Sequence, residues 1–299
     1  MGMYEEIASN SRRTYGLVFF FFVLITFLGL LIGMFYGNQY GGIVLALIIG
    51  GLYFLFSYYA GSGAILSMTG AHEATKPKYA HLINTVEGLS IAAGLPKPPK
   101  VYVIDDSALN AFATGRDPEH AAVAVTTGLL EKLDKLELEG VLAHEISHIK
   151  NYDIRVMMLA SVMVGITVLL SDFLLRSFLW GGLRRDEQRG GSITIVLIVV
   201  GLLLAVLSPL IGELMKLAIS RKREFLADAS GAMLTRYPQG LADALRKIKS
   251  DPDPLVDKAN RATAHLFIST PFRKTKGTFT HLFATHPDIN ERIKRLEAM

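Results

Sequence analysis

The sequence predicts an α+β protein, mainly α, in which long apolar helices cross a bilayer and one compact polar unit carries a small sheet. Three observations lead there. Of the 299 residues 51% are hydrophobic and only 19% are charged, well to the apolar side of an ordinary soluble domain. Apolar runs of about twenty residues recur along the chain, the length that crosses a hydrocarbon core. Between them lie charged stretches with short alternating segments, such as Val101-Tyr102-Val103-Ile104, that read as strands.

The first run, 15–35, follows Arg12 and Arg13 and holds no charge. Its flanks resemble those of a cleavable leader. It passes through Gly37 to Gly42 straight into a second run at 43–59, however, so residues 1–60 read as a membrane hairpin. Residues 61–153 change character, with a Lys-Pro-rich stretch at Leu95 to Lys100. A helical pattern covers 79–93, strand patterns cover 101–104, 111–114 and 121–126, and helical periodicity returns from Leu136. A third run at 154–175 and a fourth at 193–219 are separated by a loop with Arg184, Arg185, Asp186 and Glu187. Their length favours full spans over buried core helices, with Arg155, Asp172, Glu213 and Lys216 near the ends, where charged side chains reach water. Residues 154–219 then form a second hairpin and 220–299 complete the soluble unit.

Arg12 and Arg13 place the N-terminus in the cytoplasm, since the turn of the first hairpin has no Lys or Arg. With four crossings, the segments after the second and fourth runs are cytoplasmic as well, and both are basic. Arg176, Arg184, Arg185 and Arg189 run against this rule, with acidic neighbours beside them. The chain has no cysteine, which excludes thiolate metal sites, disulfides and a cysteine nucleophile. A net charge of +4, carried in loops beside apolar runs, argues against a nucleic-acid partner.

The chemistry concentrates in His144-Glu145-Ile146-Ser147-His148. On a helix two histidines four residues apart project from one face and can grip one metal ion, with Glu145 beside them as a base for a metal-activated water. Val141, Leu142, Ala143, Ile146 and Ile149 keep the segment helical and one side apolar, as a buried zinc helix requires. A catalytic zinc takes three protein ligands, and a glutamate on a second helix is one standard completion. Glu224, in Arg221-Lys222-Arg223-Glu224-Phe225-Leu226-Ala227-Asp228, is favoured because Asp228, one turn on, can orient a ligating histidine. Glu213 competes, with Leu217 in the place of that aspartate. His148 precedes Ile154 by six positions, about 9 Å along a continuous helix, which puts the metal near the membrane surface. Asn110-Ala111-Phe112-Ala113 reads as a strand that either pairs with an extended peptide substrate or is ordinary core. An oxyanion could be met by His286, by Arg223 or by a tyrosine.

These residues resemble the HtpX membrane metalloproteases, relatives of the CAAX prenyl proteases, over nearly the whole chain. The likeness rests on the paired N-terminal spans, Asn110 to Ala113, His144 to Asp153, Ser220 to Asp228, and Thr285-His286-Pro287 followed by Glu291-Arg292. It implies a gluzincin-type fold and one Zn2+ per chain on His144, His148 and Glu224, with Glu145 catalytic. It also implies cytoplasm-facing hydrolysis of damaged or misassembled membrane proteins in a stress response, and makes His286 a candidate site residue. Tyr152 departs from the family, whose members often carry a basic residue there. The expected partners are peptide or membrane-protein substrates and the lipid bilayer. The rival reading is a membrane chaperone or scaffold with a structural zinc, which would not need Glu145. A channel is disfavoured because the spans lack polar groups at mid-membrane.

Overall fold

The computed structural model of the protein describes residues 3–35, 37–160, 221–251 and 287–299. The third apolar run beyond residue 160, the fourth run, Glu213 and His286 lie outside the described residues.

The chain opens with a helical hairpin, α1 (Met3–Phe35) and α2 (Gln39–Met68), in which Asn38 caps α2 by accepting from Gly41 N. Both helices are long and apolar enough to cross a membrane, over Asn10–Leu30 and Gln39–Met68. Only 28% and 11% of their most apolar windows are buried within the chain, where a soluble core helix would be mostly covered. Phe19, Phe27, Leu45, Ile48, Leu52 and Phe56 face outward, an apolar surface suited to lipid.

A short strand β1 (His72–Glu73) leads to α3 (Lys76–Ala93), which Pro77 starts and Gly94, at φ 72°, ends. The strands β2 (Lys100–Ile104), β3 (Ala111–Gly115) and β4 (Ala121–Thr126) follow, close to their expected limits. The order across the sheet is β1-β2-β4-β3, with β2 and β4 parallel and the other pairings antiparallel. The two-residue side-chain period divides this sheet between two cores. Val101, Val103, Ala111, Ala113, Val123 and Val125 face α3 and the helix α5 (Lys135–Lys150). Ile104, Phe112, Ala122 and Ala124 face Leu17 of α1, Ile65 and Leu66 of α2, and the helical residues 156–160. The sheet is thus a wall between the polar unit and the base of the apolar hairpin. With apolar neighbours on both faces, β3 and β4 are buried throughout.

After β4, the helix α4 (Thr127–Lys132) leads into α5, which begins with a capping box: Asp134 accepts from Leu136 N and Glu137 N, and Glu137 accepts from Asp134 N at 2.8 Å. It stops at Lys150 and does not run on into the third apolar run. Tyr152 adopts φ 60°, which breaks the helix before residues 153–160 resume it. The axial distance expected between His148 and Ile154 therefore does not apply. Ile154 and residues 156–160 are themselves buried against the sheet. The remaining described helices, α6 (Arg221–Thr235), α7 (Pro238–Ser250) and α8 (Ile289–Glu297), pack around α5 and one another.

Gly140 sets the distance between α5 and α7, because a Cβ there would meet Leu241 N at 2.6 Å. Alanine in a helix interior normally gains about 1 kcal/mol over glycine. Here the backbone contact reverses the sign, and Gly140→Ala is expected to destabilise by about 1–3 kcal/mol. Thermal melting in detergent checks this, and a melting temperature equal to or above the parent would refute it.

Candidate metal centre

Helix α5 presents His144, Glu145 and His148, and all three are buried. Helix α6 brings Glu224 and Asp228, four residues apart and therefore on one face, against them. The approach depends on Gly231, one turn past Asp228, where a Cβ would lie 3.0 Å from His144 N. The result is a cluster of His144, His148 and Glu224 whose donor atoms all lie within 4.8 Å of one another. Nε2 of His148 is 3.2 Å from Nε2 of His144 and 3.5 Å from Glu224 Oε1, and Nε2 of His144 is 3.8 Å from Glu224 Oε2. Two ligand atoms at zinc distances in a tetrahedral site stand about 3.3 Å apart, so the spacing suits a small divalent cation.

The far side of each imidazole faces a carboxylate. Nδ1 of His144 is 3.0 Å from Asp228 Oδ1, and Nδ1 of His148 is 2.9 Å from Asp153 Oδ2. A carboxylate partner fixes the Nδ1–H tautomer and leaves the Nε2 lone pairs pointing at one another and at Glu224. That arrangement repels itself unless a cation is added. Charge points the same way. The carboxylates of Glu145, Asp153, Glu224 and Asp228 are buried beside only two buried guanidiniums, Arg223 and Arg292. With neutral imidazoles this described cluster carries two surplus negative charges, which one divalent ion neutralises. The residues present therefore fit the metal. Burial disfavours the charged form of His148, yet the Asp153 hydrogen bond and the Glu224, Asp153 and Glu145 carboxylates prevail and raise its pKa to about 9, so without an ion the ring takes up a proton, and a bound metal would displace that proton to reach Nε2. Burial likewise pushes Asp228 up, but Arg292 and His144 bring it down to about 2.

Arg292 is the part of the site to which the sequence alone assigned no role, although it sits in the Glu291-Arg292 pair that carried the family likeness. Asp288 caps α8 by accepting from Asn290 N at 2.7 Å, and Arg292 one turn later is fully buried. Its Nε and Nη2 donate to the two oxygens of Asp228 at 2.9 and 2.7 Å, a bidentate pair, while Nη1 lies 3.6 Å from Glu224 Oε2. Burial works against its charge, but Asp228 and Glu224 raise its pKa further.

Asp153 was missed as well. Five residues after His148, it would point away from the histidine on a continuous helix, and the left-handed Tyr152 turns it back. Arg223, weighed as an oxyanion partner, instead ion-pairs with Asp153 Oδ1 at 3.1 Å. Ala111 to Ala113 lie in β3, at the edge of the sheet and against α5, and Asn110 immediately precedes the strand. The other edge of β3 has no strand beside it among the described residues.

The sequence profile of Peptidase family M48 matches residues 77–299. The chain is similar to the Protease HtpX homolog of Dictyoglomus thermophilum, 47% identical over 99% of this chain and 94% of that one. It is similar also to the Protease HtpX homolog of Tropheryma whipplei, at 45% over 99% and 98% of the two chains. Among solved structures, S. mikatae Ste24p shares the fold, with a TM-score of 0.52 and 20% identity over 98% of this chain and 67% of that one.

Removing the Arg292 guanidinium would leave Asp228 and Glu224 without their shared buried cation. Arg292→Leu is expected to cost about 3–5 kcal/mol. Arg292→Lys recovers only part, because an ammonium cannot form the bidentate pair. Thermal or urea unfolding reads both, and an Arg292→Leu protein within about 0.5 kcal/mol of the parent would refute the assignment.

Proposed function

The chain belongs to peptidase family M48 and is a metalloprotease, a hydrolase of peptide bonds, and from that premise we propose that it is a zinc endopeptidase of the cell membrane acting on membrane proteins. The observation that carries this is the buried group of His144, His148 and Glu224 with Glu145 on the same helix, beside the base of an apolar hairpin.

In this reading His144, His148 and Glu224 hold one Zn2+ per chain, with Asp228 and Asp153 orienting the two imidazoles. The bound ion supplies Lewis-acid polarisation of the scissile carbonyl and acidifies the attacking water. Glu145 takes the proton from that water and delivers it to the leaving amine, so no covalent intermediate forms. Its nearness to the reacting centre is supported by its electrostatic influence on both His148 and Arg292. Arg292, engaged with Asp228 and Glu224, holds the third ligand in place and keeps its donors from the substrate. His286 remains the proposed oxyanion partner. The edge strand at Asn110, Ala111, Phe112 and Ala113 is proposed to pair with an extended substrate backbone.

We place the site on the cytoplasmic side of a protein that crosses the membrane four times. Asn10, near the start of α1, hydrogen-bonds to Asp153, so that end of α1 lies on the same side as the metal cluster. Arg12 and Arg13 mark it as cytoplasmic by the excess of basic residues on that face. A site at the base of a membrane hairpin favours damaged or misassembled membrane proteins as substrates, with a role in the stress response.

A cleavage assay on a membrane-protein substrate, with the detergent-purified chain, tests this reading. Glu145→Ala is expected to keep its zinc and lose about 10²- to 10⁴-fold in rate. Glu224→Ala should lower zinc stoichiometry, and a chelator should abolish cleavage by the parent. Full activity in Glu145→Ala, or cleavage indifferent to chelator, would overturn the mechanism. Retained zinc in Glu224→Ala would move the third ligand elsewhere.

A further inference from the structure

We propose that Asn10 is a positioning residue of the metal centre: from the start of the first membrane helix it holds Asp153, and through Asp153 the ring of His148. This rests on the reading of His148 as a metal ligand and extends it to a residue more than 130 positions away in sequence.

Asn10 is 1% exposed, at the first residue of the apolar stretch of α1. Burying an amide there is costly unless its polar atoms are paired. Both hydrogens are, whereas Oδ1 is buried with no hydrogen-bond partner among the described residues. Nδ2 donates to Asn151 O at 2.6 Å and to Asp153 Oδ1 at 2.7 Å. Each partner is an acceptor, so the amide can take only one orientation, with nitrogen toward the turn.

That turn is the one that returns Asp153 to His148. Asn151 caps the end of α5, where a helix leaves carbonyls without intrahelical donors, and Tyr152 follows with φ 60°. Asn10 supplies a donor to the first residue of the reversal and another to the carboxylate that the reversal delivers. Asp153 is then held at both oxygens, with Oδ2 at 2.9 Å from His148 Nδ1 and Oδ1 shared by Asn10 and Arg223. Arg223 comes from the helix that carries Glu224, so Asp153 joins α1, the histidine helix and the glutamate helix at one point. Two hydrogen bonds separate the membrane helix from a metal-ligating imidazole.

Plain docking of α1 is the competing explanation, and Leu17 separates the two. It packs α1 onto the same sheet wall through apolar contact and has no part in the hydrogen-bonded chain. The experiment measures zinc affinity of the full-length chain in detergent, by competition with a fluorescent chelator. Asn10→Leu keeps the side-chain volume and removes both donors. Its zinc dissociation constant is expected to rise about three- to tenfold, less than the 10- to 100-fold typical when a direct partner of a ligand is removed. Leu17→Ala should leave the constant at the parental value. In an Asp153→Ala background Asn10→Leu should change nothing further, because its route to His148 is already cut. If Asn10→Leu is not recovered folded, Asn10→Asp has the same shape and sets an acceptor against Asp153, and it should loosen zinc at least as much. Parental affinity in the Asn10 variants, equal loosening by Leu17→Ala, or an undiminished effect in the Asp153→Ala background would each overturn the proposal. Failure of the parent to bind zinc would overturn the metal reading first and this proposal with it.

Discussion

Two buried imidazole nitrogens, Nε2 of His144 and Nε2 of His148, lie 3.2 Å apart, each ring turned so that its other nitrogen meets a carboxylate. Facing lone pairs beside a third carboxylate, Glu224, are tolerable only around a proton or a metal cation. The surrounding structure is built to keep them there. Gly231 lets α6 approach α5 to backbone distance, Asp228 and Asp153 fix the ring tautomers, and Arg292 offsets part of the charge through Asp228 and Glu224. If the carboxylates were fully balanced by guanidiniums, the pull on a divalent ion would weaken. The surplus of negative charge is therefore a functional property of the fold, held in place by the burial that makes it unfavourable when no cation is bound.

The elements that were legible in the sequence are those with a local period. His144 and His148 at i and i+4, Glu224 and Asp228 at the same spacing, the alternation at Val101 to Ile104, and the apolar lengths of α1 and α2 are each readable within one or two turns of chain. Sheet order was not, because β2 pairs with β4 past β3, and nothing local in the strands distinguishes that pairing from a meander. Arg292 escaped a role for a related reason. Its partner is 64 residues away, and one arginine on an amphipathic helix ordinarily faces water. Asp153 was hidden by a single torsion, the left-handed φ of Tyr152, which no pattern of hydrophobicity reports. Tyr152, where the family often carries a basic residue, could have drawn attention to the turn, and its φ makes that turn sharp.

The sheet shows how the membrane hairpin and the catalytic unit depend on each other. One face is covered by α3 and α5, and the other by Leu17, Ile65, Leu66 and residues 156–160. If the hairpin base were absent, Phe112, Ala122 and Ala124 would lose part of their cover, and the strand proposed to meet substrate would have one wet apolar face. An edge strand in that state invites nonspecific pairing. The hairpin is thus part of the core of the peptidase unit as well as its tether.

That dependence bears on how such a site works next to lipid. A metal centre needs its ligands held to within fractions of an ångström, whereas a bilayer imposes tilt and thickness changes on any helix that crosses it. Polar contacts between the two offer a compromise, because hydrogen bonds at the start of α1 constrain direction while the apolar contacts of Leu17 and Ile65 permit small slides. Asp153 is the natural place for the join. It touches the first apolar helix on one side and the ring of His148 on the other. The apolar hairpin and the candidate metal site of this protease are thus connected through one buried carboxylate.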